Sequence, residues 1–132
     1  MLAVLELRED FRTKKRALLA TIRASVASTR EVGKTLTLLS TLADVTLRTL
    51  WEQAGLRGPC ALVAVGGYGR AKLFPHSDVD VLLLLPDDER PENGNSLQSQ
   101  IETFIGSCWD TGLEIGSSVR TVSQCLAEAD KD

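Results

Sequence analysis

The sequence predicts an α+β domain: a small mixed β-sheet backed by helices, with two helices leading. Three observations carry this. The front of the chain holds two long stretches with apolar residues at helical spacing. Two apolar runs of strand length, Ala61 to Val65 and Val79 to Leu85, follow with a short connection between them. A further helical stretch and a third extended stretch come next, and a final helix closes the chain. The order helix–helix–strand–strand–helix–strand–helix gives a sheet of few strands with helices to cover it.

Residues 3–28 read as the first helix, with Leu5, Phe11, Leu18, Leu19, Ile22 and Val26 as its apolar residues among many charges. Ser28 and Glu31 offer a capping box for the second helix, which runs to about Ala54. Its stripe is Leu36, Leu39, Ala43, Leu47 and Leu50, widened by Leu38, Leu42 and Val45. Gly55 and Gly58-Pro59 stop it. Pro86 to Asn95 is a polar loop with no apolar anchor, expected to be mobile. Ser96 caps a third helix from Leu97 to Trp109, with Ile101, Phe104, Ile105 and Cys108 facing inward. Leu113 to Ile115 and Ser117 to Val122 read as the third strand, bent at Gly116, and Ser123 caps the last helix. Two parts are expected: a helical region at 1–58 and a core at 59–132.

Composition excludes several classes. At 132 residues, 43% apolar and 25% charged, this is an ordinary globular domain. No apolar run approaches the ~20 residues of a membrane span, and the start does not read as a secretory signal. The three cysteines share no metal-ligand spacing and read as reduced, buried thiols of a cytoplasmic protein. Net charge is -3, made of +4 over residues 1–58 and -7 over residues 59–132. That overall acidity argues against nucleic acid as a partner. The basic front is either a solvated helix face or a docking surface for another domain.

The chemistry concentrates between Ala61 and Pro86. The first strand breaks into Gly66-Gly67-Tyr68-Gly69-Arg70, too glycine-rich for the interior of a helix or strand. Ten residues separate Gly67 from Asp78. There the second strand opens as Asp78-Val79-Asp80. Alternation puts Asp78 and Asp80 on one face, while Val79 and Val81 point into the core. Two carboxylates roughly 6–7 Å apart on one strand repel when ionised. Either a cation sits between them or one takes up a proton. Such a pair suits Mg2+, which completes its shell with water and phosphate oxygens. The N–H groups of a glycine turn can cradle a triphosphate, with Arg70 and Lys72 adding positive charge. A phosphate cradle beside a metal-binding acid pair describes nucleotidyl transfer.

Gly-Gly, a spacer of about ten and Asp-x-Asp on a strand resemble the signature of the DNA polymerase β-type nucleotidyltransferase superfamily. The longer match resembles the N-terminal domain of the bacterial PII uridylyltransferase family. It includes Leu73-Phe74-Pro75-His76-Ser77 before Asp78, then Trp109-Asp110, Leu113-Glu114-Ile115-Gly116 and Ser118-Val119-Arg120-Thr121. The likeness covers Leu62 to Cys125 well. It implies a polymerase β-type fold and transfer of UMP from UTP to a tyrosine of the PII signal protein in nitrogen regulation. It implies two Mg2+ ions, with Mn2+ as a substitute, on Asp78, Asp80 and a third carboxylate. Leu113-Glu114-Ile115 has the form of that third site, and Asp110 competes for it. Gly66 and Gly67 would contact the triphosphate. Ser77 would cap the strand end or bind phosphate, His76 would belong to the positioning loop, and Tyr68 would pack. Arg120 would pair with an acid in the sheet or reach the phosphates. Downstream domains of a longer polypeptide are expected, making this chain a fragment. Transfer of another nucleotide such as AMP, or a non-catalytic nucleotide- or partner-binding module, are the alternative functions.

Overall fold

The computed structural model describes residues 4–24, 29–56, 60–69, 78–87 and 96–131. The element order is α1 (Val4–Ala24), α2 (Thr29–Gln53), β1 (Ala61–Ala64), α3 (Gly66–Gly69), β2 (Val79–Leu85), α4 (Ser96–Thr111), β3 (Ile115–Thr121) and α5 (Val122–Lys131). The sheet has the order β1-β2-β3. β1 runs antiparallel to β2, with Ala64 opposite Val81, and β3 runs parallel to β2, with Val79 opposite Ile115. This is the mixed sheet the sequence predicts. A parallel neighbour requires a crossover, and α4 supplies it.

β2 is the spine. Val79, Val81, Leu83 and Leu85 are buried, while Asp80, Leu82 and Leu84 alternate with them and are half-buried. The buried face meets a helical layer in one hydrophobic cluster. α1 contributes Leu7 and Phe11, α2 its Leu36–Leu50 stripe, and α4 Ile101, Phe104 and Cys108. Residues on both sides of position 58 therefore share one core. Phe104 is fully buried and meets Trp51 edge-on at 5.3 Å between ring centroids. Phe104→Ala removes that contact and opens a cavity that rigid neighbours cannot fill. A loss of about 3–5 kcal/mol is expected in urea unfolding, with the urea dependence unchanged.

Two helices end by the same device. Gly55, at φ 77°, follows α2, and Gly112, at φ 100°, follows α4. In each case the next residue's N–H reaches back to a carbonyl: Leu56 to Trp51 at 3.3 Å and Leu113 to Cys108 at 2.9 Å. Both leucines are buried, so each stop also plants an apolar anchor. The stop at Gly55 agrees with the sequence, while Gly58-Pro59, Ser28 and residues 88–95 of the polar loop lie outside the described residues.

The structure corrects several local expectations. In α1 it is Leu7, 4% exposed, that enters the core, while Leu5 is 71% exposed. Leu7, Phe11, Leu18 and Ile22 keep one face, and Leu5 falls off it. In α2 Leu38 and Val45 are exposed, and of the three widening residues Leu42 alone packs on the core. Cys108 is buried, but Cys60 and Cys125 are half-buried; none of the three forms a disulfide. Burial pushes the Cys108 thiol up to about 12, so it stays protonated. The glycine stretch forms one helical turn, closed by Gly69 N–H to the Val65 carbonyl at 2.9 Å. β3 runs through Gly116 in unbroken register. Ser123 does not cap α5. Thr121 does: its hydroxyl accepts from Gln124 N–H at 3.2 Å, and the Gln124 side chain accepts from Thr121 N–H at 2.8 Å. Ser123 N–H instead donates to Asp87 at 2.9 Å.

Candidate active site

The site lies at one end of the sheet, where β1 finishes and β2 and β3 begin. Its framework is backbone. Val65 N–H donates to the Asp80 carbonyl at 3.0 Å, and Val79 N–H to the Glu114 carbonyl at 2.9 Å. Those two bonds put the glycine turn on one side of Asp80 and the start of β3 on the other. Asp78 is exposed, Val79 buried and Asp80 half-buried, the alternation expected from the sequence.

Asp80 is held by shape. A Cβ at Gly66 would lie 3.0 Å from Asp80 Oδ2, and one at Gly116 would lie 2.6 Å from Asp80 Oδ1. Each oxygen therefore rests against a glycine, one from each flanking chain. Gly66 also adopts φ 62°, a left-handed conformation that side chains rarely take. Gly116 sits directly opposite Asp80 in the parallel ladder. Among the described residues no hydrogen bond or salt bridge engages the carboxylate of Asp78 or Asp80. Their lone pairs stay available on the sheet face away from the helices. A slot that fixes a carboxylate sterically while leaving its oxygens unpaired suits a hard divalent cation.

Glu114 is exposed and immediately precedes β3, beside Asp78. Asp110 lies in the last turn of α4 and is also exposed. Among the described residues no three His, Cys, Asp or Glu side chains gather closely enough to hold a metal ion. Glu114 is a strand neighbour of the aspartate pair. Gly66 and Gly67 form the first half of α3. Arg70, Lys72, His76 and Ser77 lie outside the described residues. Arg120 pairs with Glu128 of α5 at 3.1 Å, so its acid comes from a helix and not from the sheet. It also stands four residues along β3 from Gly116, roughly 13 Å at ~3.3 Å per residue.

Two relationships escaped the sequence, although Tyr68 packs in the core as expected. Gly116 reads as a bend when alone, and only the β2–β3 register shows it facing Asp80. Tyr68 is 6% exposed, and its hydroxyl donates a short hydrogen bond to Asp44 of α2. Burial raises the Tyr68 pKa first, and the Asp44 carboxylate raises it further, so the phenol stays protonated.

The family profile described as "Putative nucleotidyltransferase DUF294" matches residues 16–118, spanning the aspartate pair, the glycine turn and Gly116. The chain belongs to the DUF294 nucleotidyltransferase family. Among the curated relatives of this DUF294 domain is a bifunctional uridylyltransferase/uridylyl-removing enzyme of Burkholderia vietnamiensis. It is 50% identical over 125 residues, covering 95% of this chain and 14% of the relative. The enzyme of the same description from Ralstonia nicotianae is 54% identical over 101 residues, 76% of this chain and 11% of the relative. One from Burkholderia mallei is 50% identical over 123 residues, 93% and 13% respectively. The chain thus spans about one seventh or less of these relatives. No solved structure matches it significantly. Among the described residues no helix is long and apolar enough to cross a membrane.

Proposed function

We propose that this DUF294 domain is the nucleotidyl-transfer part of a uridylyltransferase, moving UMP from UTP to a tyrosine of a PII-type signal protein in the cytoplasm, in the control of nitrogen metabolism. The observation that supports it most is the Asp80 slot: an acid seated between a glycine turn and a strand glycine, in a chain at least 50% identical to uridylyltransferases over most of its length.

In this reading the tyrosine hydroxyl attacks the α-phosphorus of UTP in line. A new O–P bond forms, the α–β anhydride bond breaks, and pyrophosphate leaves with the electron pair. The hydroxyl proton passes to solvent or to a carboxylate of the site. Asp78 and Asp80 would hold Mg2+, with Glu114 as the third carboxylate; the bound cation supplies positive charge against the phosphate oxygens. The chain's own contribution is positioning. Gly66 and Gly67 present backbone N–H groups to the triphosphate, and the slot keeps Asp80 in one rotamer, so no reorganisation is needed at the moment of reaction. Arg70, Lys72 and Ser77 would add contacts to the phosphates.

Thermal shift with UTP, ATP, CTP and GTP, each with and without Mg2+, tests this. A rise in Tm with Mg2+-UTP that vanishes on chelation is the expected result, because a ligand that binds the folded state stabilises it. Equal shifts with all four nucleotides would place base choice outside these residues. A larger shift with ATP would favour AMP transfer, and no shift with any nucleotide would overturn the proposal.

A further inference from the structure

We infer that Tyr68 is a positioning residue for the glycine turn, acting through Asp44: their hydrogen bond ties α3 to helix α2 and sets where the turn's N–H groups point. This rests on the proposed binding of triphosphate by that turn.

Three of the four residues of α3 are glycine, so Tyr68 carries the only side chain with which the turn can grip the rest of the fold. The backbone fixes the two ends of the turn. Val65 N–H is bonded to Asp80, and Gly69 is pressed against the Ala64 carbonyl, which a Cβ there would meet at 2.8 Å. Between those ends the turn's tilt is set by where the Tyr68 ring goes.

The ring does not enter a tightly closed pocket. It lines a cavity of about 320 Å³ with Asp44, Arg48 and Trp51 of α2, Leu62 of β1 and Val81 of β2. Packing alone leaves a ring free to shift where one side lacks partner atoms. The hydroxyl bond to Asp44 removes that freedom, because a charge-assisted bond has one short, directional geometry. The acceptor sits on the long, well-buried helix α2, whose Ala43 and Leu47, on either side of Asp44, belong to the core. Arg48 stands one turn further along α2 on the same cavity, where its positive charge opposes part of the rise in the Tyr68 pKa. The phenol's raised pKa keeps the donor protonated throughout the neutral range.

A bond that only added stability would lower Tm and leave affinity unchanged. A positioning bond changes affinity at temperatures where every variant is folded. Calorimetric binding of Mg2+-UTP and of Mg2+-triphosphate should therefore be compared for the parent chain, Tyr68→Phe, Asp44→Ala and Asp44→Asn. Tyr68→Phe and Asp44→Ala are each expected to weaken both ligands about two- to tenfold, the range of one net hydrogen bond. Combining them should cost little more than either alone, since both remove the same bond. Asp44→Asn keeps an acceptor oxygen and should recover most of the loss. Unchanged affinity in Tyr68→Phe, or equal effects of Asp44→Asn and Asp44→Ala, would overturn the inference and leave the proposed function standing. A parent chain that binds neither ligand would overturn both.

Discussion

Replacing Asp78 and Asp80 together by asparagine is expected to abolish Mg2+-dependent UTP binding and leave the fold intact. The two side chains take no part in the described hydrogen bonds or salt bridges, so no structural partner is orphaned by the change. Asparagine has nearly the shape of aspartate and fits the slot between Gly66 and Gly116. What disappears is two negative charges on one strand face. Without a cation those charges repel, so their loss should leave unfolding free energy unchanged or slightly raised. With a cation they are its anchor, so the variant should show no Mg2+-dependent heat of UTP binding. Calorimetry paired with urea unfolding checks both halves. Unaltered Mg2+-UTP affinity would remove the acid pair from the metal assignment.

Gly116→Val is expected to cost about a hundredfold in Mg2+-UTP affinity, the scale of an ~1 Å misplacement of a key group. A Cβ at this position would lie 2.6 Å from Asp80 Oδ1, inside any tolerable contact. Retreat the other way is limited to the room a glycine leaves, since even a Cβ built on Gly66 would lie 3.0 Å from Oδ2. The carboxylate must leave the slot, or β3 must move from β2. Valine suits strand backbone, and Gly116 is not in the left-handed region, so the strand itself should persist. Overpacking should cost about 1–3 kcal/mol of stability. Circular dichroism, which should stay that of the parent, separates this local displacement from unfolding. Parent-like affinity in Gly116→Val would mean that the slot has no bearing on binding.

The elements were legible because each carries its own period. The runs Ala61 to Val65 and Val79 to Leu85 read as strands, and the Leu36–Leu50 stripe as a helix face, with no knowledge of their neighbours. The acid pair was legible for the same reason, since alternation along one strand decides which side chains share a face. Gly116 was not, because its role exists only between strands. Nothing local to Gly116 says that it pairs with Asp80; that is set by the β2–β3 register after a helical crossover. Tyr68 was hidden likewise, its partner lying 24 residues earlier on α2. The capping of α5 went astray by two residues because Thr121 and Ser123 have equivalent hydroxyls. Only Thr121 stands three residues before a glutamine that closes the box. Leu5 and Leu7 differ merely by where the first turn of α1 lies over the core.

The slot around Asp80 joins residues 66, 80 and 116, contributed by the turn after β1, by β2 and by β3. None of these pieces makes it alone. A hairpin of β1 and β2 would supply only the Gly66 wall, and the second wall arrives when α4 has carried the chain back to lay β3 alongside. Closing that crossover is a non-local step, slower and entropically dearer than a hairpin. Slot geometry is therefore expected late in folding, and it is lost when β3 detaches. A ligand gripping Asp80 opposes that detachment directly. Amide exchange along β2 and β3 should slow together when nucleotide and cation bind, as a single cooperative block.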